Sequence, residues 1–260
     1  MLALEHVSVR YKVGTFGSGS LLAVDDVSFT VQPGQVLSLI GESGSGKSTI
    51  GRCILRLVPA SGGRITLDGL DVSTLHRSRL KEYYRHVQGV FQDPFSSFNP
   101  IFKADHVFAI VREGFFPGLS DRDWKHRLGQ ALEAVSLTPA DVLGKYPHQL
   151  SGGQLQRLLV ARALLLDIDV LVADEVISML DASTRIDVLN LLGDLKQRGL
   201  AIVFITHALA LGNYISDDTV ILCKGRVVES GATPEVYGNP QDDYTRALLA
   251  AVPQLRRRWT

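Results

Sequence analysis

Gly41-Glu42-Ser43-Gly44-Ser45-Gly46-Lys47-Ser48 fits G-x-x-x-x-G-K-[ST] at every fixed position. Glycines let successive backbone N–H groups turn inward around phosphate oxygens without Cβ clashes. Lys47 offers a point charge to the terminal phosphates of a nucleotide, and the Ser48 hydroxyl is a hard oxygen ligand for Mg²⁺. A helix starting at this point adds its partial positive charge to the same anion. Gly41, Ser43, Gly44, Gly46, Lys47, Ser48 and Thr49 are therefore the candidate nucleotide contacts. A phosphate cradle alone does not hydrolyse anything. Val170-Leu171-Val172-Ala173-Asp174-Glu175 ends an apolar run in two carboxylates, of which Asp174 is expected to hold hydrated Mg²⁺ and Glu175 to polarise an attacking water. A third string, Leu150-Ser151-Gly152-Gly153-Gln154-Leu155-Gln156-Arg157, opens an apolar helix with a serine and two glycines. It makes a second helix N-terminus able to hold an anion, far along the chain from the first.

These groups need rigid elements beneath them. Leu4 to Val9 and Val24 to Val31 alternate apolar and polar residues, which predicts half-buried antiparallel strands. Val36 to Ile40, Val170 to Ala173, Leu200 to Ile205 and Val220 to Cys223 are short apolar runs, as expected of strands covered on both faces in a parallel α/β sheet. Helical patterns cover Ser48 to Leu57 and Thr184 to Lys196. From Asp93 to Leu150 there are five prolines and helical patterns such as Asp123 to Val135, but no convincing strand, so this stretch reads as a helical insertion. The tail has one short helix candidate after Asp243, then Arg256-Arg257-Arg258, expected to be a solvated terminus.

Composition narrows the function classes. The 260 residues carry 27 basic and 27 acidic side chains, so the formal net charge is zero, which argues against a nucleic-acid binder working by bulk electrostatics. The longest apolar runs are far short of the roughly 18 residues a membrane span needs. No secretory signal is visible at the N-terminus, and Cys53 and Cys223 match no metal spacing, so a soluble protein of a reducing compartment is expected.

The third string, with the other two motifs in order, resembles the nucleotide-binding subunits of ABC transporters from about Leu4 to Pro253. The resemblance implies a P-loop NTPase (RecA-like) core with an antiparallel β subdomain and a helical signature subdomain. It divides the chain into a core at 1–92 and 160–240, helices at 93–159 and a tail at 241–260. It implies ATP and Mg²⁺ as the ligands. Gln92 matches the glutamine that contacts Mg²⁺, and His207 the switch histidine that hydrogen-bonds the γ-phosphate. Asp181, in Ser178-Met179-Leu180-Asp181, matches an aspartate that faces a second subunit. Tyr11, with Phe16 second, is the candidate for stacking on adenine. Two such ATPase chains meet head to tail in this family, so Ser151, Gly153 and Gln154 are expected to complete the site of the opposite chain.

Phe91-Gln92-Asp93-Pro94-Phe95-Ser96-Ser97-Phe98-Asn99-Pro100 and Tyr146-Pro147-His148-Gln149 are similar to the peptide and nickel importer branch. So is the tail from Pro240 to Leu249, although Asp242-Asp243 replaces the usual His-Pro pair. The branch implies a related but different ATPase partner, two membrane permease subunits, indirectly a solute-binding protein, and a place on the cytoplasmic face of the inner membrane. The expected permease contact is Pro94 to Phe102. No iron–sulfur centre is expected, because the C-terminal cysteine cluster of longer members is missing. Two residues depart from the family pattern beside the site: Val176-Ile177 stands where Pro-Thr is usual, and Ala208 where an aspartate follows the histidine. The competing reading is a non-transport ABC ATPase, such as an accessory protein of phosphonate degradation.

Overall fold

The computed structural model describes residues 1–13 and 19–251; Phe16 and the three terminal arginines lie outside them. The two alternating segments pair as antiparallel strands β1 (Leu2–Val13) and β2 (Gly19–Val31). Leu2, Leu4, Val7 and Val9 on the first, and Val24, Val27 and Val31 on the second, turn one face inward. The chain then enters β3 (Val36–Ile40) before returning through β4 (Gly62–Leu67) and β5 (Leu70–Asp71), giving a four-stranded sheet in the order β2-β1-β4-β5.

A second sheet has six strands. To β3 it adds β6 (Val87–Val90), β7 (Val170–Asp174), β8 (Ala201–Thr206), β9 (Asp218–Cys223) and β10 (Arg226–Ala232), in the order β10-β9-β3-β8-β7-β6. From β9 to β6 the pairs are parallel; β10 is an antiparallel edge. Every residue of β3, β7 and β8 is buried, the physical reason for their mostly apolar runs.

One face of this sheet packs with α1 (Lys47–Ile54) on the four-stranded sheet, and Leu4, Val24, Leu39, Ile50, Val172 and Val203 fall in that layer. The chain continues through α2 (Leu80–Tyr83), α3 (His106–Phe115), α4 (Asp121–Ala134) and α5 (Pro139–Val142) to α6 (Gly152–Leu164) and α7 (Ala182–Gln197). These helices have no separate core, since Phe108, Leu132 and Leu155 share one cluster with Leu171, Leu192 and Phe204. Helices α8 (Leu209–Ile215), α9 (Thr233–Gly238) and α10 (Asp243–Ala250) finish the described chain. No helix among the described residues is long and apolar enough to cross a membrane.

Candidate active site

Parallel strands deliver whatever follows them to one sheet edge. Gly41 follows β3, Gln92 follows β6, Glu175 follows β7 and His207 follows β8, so residues scattered over the chain emerge from the same edge. The loop after β3 needs its glycines. Gly46 sits at φ +105, and a Cβ there would lie 2.6 Å from the Ala23 carbonyl. A Cβ on Gly41 would lie 2.2 Å from the Leu222 carbonyl. Ser43 and Gly44 are exposed. No side chain caps α1, which leaves its first N–H groups, at Lys47, Ser48 and Thr49, available to an external anion.

Lys47 is only 5% exposed. Its ammonium donates to the Gly41 and Glu42 carbonyls, both at 2.8 Å, and to Ser45 Oγ at 3.3 Å. Burial pulls its pKa down, while the negative charges of Glu175 and Asp174 pull it back up. Asp174 is 7% exposed and accepts a hydrogen bond from Ser48 Oγ at 3.1 Å. Burial raises its pKa, the Ser48 hydrogen bond opposes that, and Glu175 adds to it. A hydroxyl and a single carboxylate held this close are hard oxygen donors that suit Mg²⁺, which takes its remaining ligands from phosphate and water. Gln92 is exposed, just past β6.

Glu175 follows β7 in a left-handed backbone conformation, φ +52, and its N–H donates to the Ile205 carbonyl at 2.9 Å. Its carboxylate meets His207 Nδ1 at 2.8 Å. The two departures from the family pattern leave this pair intact. Val176 and Ile177 are buried in the core, and Ser178 turns back to the Glu175 carbonyl through its N–H and hydroxyl, at 3.1 and 2.9 Å. The Ala208 N–H donates to Thr206 Oγ1 at 3.0 Å.

A second group of candidates gathers elsewhere. No hydrogen bond among the described residues joins Ser151, Gly153, Gln154 or Asp181 to the phosphate loop. Ser151 caps α6, and Gln154 answers it: Gln154 N donates to Ser151 Oγ at 3.1 Å, while Ser151 N donates to Gln154 Oε1 at 3.0 Å. Gly153 is buried under α7. Asp181 caps α7, accepting from Ser183 Oγ at 2.6 Å and from Thr184 Oγ1 at 2.7 Å. Tyr11, opposite Leu21, packs partly against the apolar layer beneath the four-stranded sheet. Phe98 is buried in the core, which removes it from the expected permease contact, while Phe95, Ile101 and Phe102 are exposed.

Sequence reasoning overlooked Gln156, which is completely buried, with its Nε2 3.5 Å from the Phe91 carbonyl beside Gln92. Its one visible signal was a polar side chain in the apolar run of α6.

The ABC transporter family matches residues 24–178, more than half of the chain. A Brucella ovis protein named as a peptide import ATP-binding protein is 45% identical over 239 residues, 91% of this chain and 74% of that one. A Shigella flexneri glutathione import ATP-binding protein is 45% identical over 89% of this chain and 37% of its own length. Among solved structures, a dimeric ATP-binding cassette in a post-hydrolysis state with ADP and Pi superposes with a TM-score of 0.79 at 27% identity, covering 90% of this chain and 99% of that one. The cbiO1 protein of Clostridium perfringens has the same fold, with a TM-score of 0.79 at 24% identity over 92% of this chain and 90% of its own. With its phosphate loop intact and this fold beneath it, the chain belongs to the ABC transporter family and is one of its ATPases.

Proposed function

We propose that the chain energises the import of small peptides across a membrane, as the ATP-hydrolysing subunit of a transporter whose permease and cargo-binding parts are other chains. The observation that carries the reading is the shared sheet edge. It gathers a lysine in a glycine loop, a serine–aspartate pair and a glutamate–histidine pair. The names of the relatives favour peptides over nickel as cargo.

In this reading the first N–H groups of α1 and Lys47 bind the phosphates of ATP. Glu175 takes the proton of the attacking water, and His207, hydrogen-bonded to that carboxylate, also contacts the γ-phosphate. Ser48, Asp174 and Gln92 would hold Mg²⁺, which when bound neutralises charge between the β- and γ-phosphates. Ser151 and the turn after it serve the nucleotide of a second, related ATPase chain, and Asp181 faces that chain. ATP bound between the two closes them, and hydrolysis lets them part. Two permease subunits anchor the pair to the cytoplasmic face of the inner membrane, and a solute-binding protein supplies the cargo.

Glu175→Gln tests the chemistry, because it keeps the shape of the side chain and removes its basicity. Turnover, measured as phosphate release, should fall at least about 100-fold while ATP binding persists. Hydrolysis at the rate of the unaltered chain would remove Glu175 from the base role.

A further inference from the structure

Two glycines and an aspartate, 28 residues apart in sequence at their closest, rest on the same short stretch of chain. A Cβ placed on Gly153 would stand 2.3 Å from the Thr184 methyl carbon, so that methyl occupies the space the glycine leaves open. The hydroxyl of the same threonine donates to Asp181 Oδ2 at 2.7 Å, and its backbone N–H donates to Asp181 Oδ1 at 3.0 Å. One β-branched side chain thus points its apolar arm at the turn after Ser151 and its polar arm at the cap of its own helix.

Neighbouring contacts brace the same junction. A Cβ on Gly152 would sit 3.6 Å from a Leu180 methyl, ordinary packing distance. Arg185 Nε donates to the Leu180 carbonyl at 2.7 Å, and Arg157 pairs with Asp187 at 3.0 Å between α6 and α7.

We infer that Thr184 is a positioning residue that locks the Ser151–Gly153 turn to Asp181, so that both reach the opposite chain's nucleotide as one rigid piece. This rests on the head-to-tail pairing proposed above. A displacement of Asp181 by the opposite chain is passed through Thr184 to the start of α6, and the reverse holds equally. The phosphate loop of the same chain lies outside this piece and binds ATP without it.

The test compares Thr184→Val, which keeps the methyl arm and removes the hydroxyl, with Thr184→Ser, which does the opposite. Binding of radiolabelled ATP to the full chain alone should stay within about twofold in both variants, since the phosphate loop is untouched. In the assembly purified with the partner ATPase and permease subunits, kcat of Thr184→Val should fall about tenfold, the loss expected for one hydrogen bond to a charged group. Thr184→Ser, which keeps the bond to Asp181 but loses the methyl packed on Gly153, should lose turnover as well, because the lock needs both arms. Unchanged kcat in either variant overturns the inference. So does a parallel loss of ATP binding, which would mark general unfolding of the helix start. The Glu175→Gln chain with native Thr184 is the separate control: if ATP does not drive it to pair with a second ATPase chain, the head-to-tail reading itself fails, whatever Thr184 does.

Discussion

Lys47 is almost wholly out of water, yet its ammonium is not stranded, because two carbonyls and a hydroxyl of its own loop satisfy it. In the proposed role those oxygens hold the side chain ready for a phosphate, so binding would exchange partners rather than order a free chain end. Burial depresses the pKa of Lys47, and the negative charges of Glu175 and Asp174 oppose that shift. Lys47→Ala should therefore weaken ATP binding at least about 100-fold, the loss of two or more charge-assisted bonds, measured by equilibrium dialysis. Lys47→Arg should not rescue it, since a planar guanidinium cannot take the place of a compact ammonium among those three oxygens. At this scale much was legible, because a phosphate loop and a strand-end carboxylate pair are local patterns. What spacing could not reveal was company. That His207 would meet Glu175, or that Gly153 would owe its missing side chain to Thr184, depends on which helices pack together.

Strands β3, β6, β7 and β8 terminate just before candidate groups, while α6 and α7 start in them. Asp181 stabilises the start of α7 as an ionised cap. The Ser183 hydroxyl, then the N–H and hydroxyl of Thr184, hold its carboxyl well below the ordinary value of 3.8. A folded-state pKa below the unfolded one gives stability that is complete above 3.8 and is lost as pH falls through the lower, folded value. Asp181→Ala should accordingly lower the thermal unfolding temperature at neutral pH, and the gap from the unaltered chain should close under acid; a gap constant with pH would discard the ionic cap. Among the elements, the buried strands β3, β7, β8 and β9 were readable as short, mostly apolar runs. Strand β6 was not, because its four residues are interrupted by Gln88 and Gly89. Gly89 is there for packing: a Cβ would meet the Leu55 side chain at 2.5 Å. Edge strands β5 and β10 bury too little of themselves to carry a periodic signal.

On the scale of the whole molecule, a neutral chain handles a highly anionic nucleotide by keeping positive potential local, at Lys47 and the start of α1. The surface that would transmit work to a permease is local too. Ile101 is 77% exposed and Phe102 stacks on His106 with ring centroids 4.4 Å apart, beside a cavity of about 410 Å³ that Lys103, Ala109 and Tyr146 also line. Phe95 and Phe98, three positions apart in the same stretch, have opposite fates: Phe98 anchors the segment in the core, and Phe95 remains outside. An anchored segment with a solvent-facing apolar tip is a rigid contact rather than a loose loop, and apolar side chains gathered in one exposed place suit a protein interface. Ile101 touches neither the phosphate loop nor the glutamate–histidine pair, so a charge there tests coupling without disturbing chemistry. Ile101→Asp should leave the basal ATP turnover of the chain within about twofold, because exposed substitutions away from packed features cost little. Its recovery in a detergent-solubilised complex with the permease subunits should fall about tenfold or more, since a carboxylate buried against an apolar partner goes unpaired. Co-purification at the level of the unaltered chain would move the permease contact away from the Pro94–Phe102 stretch.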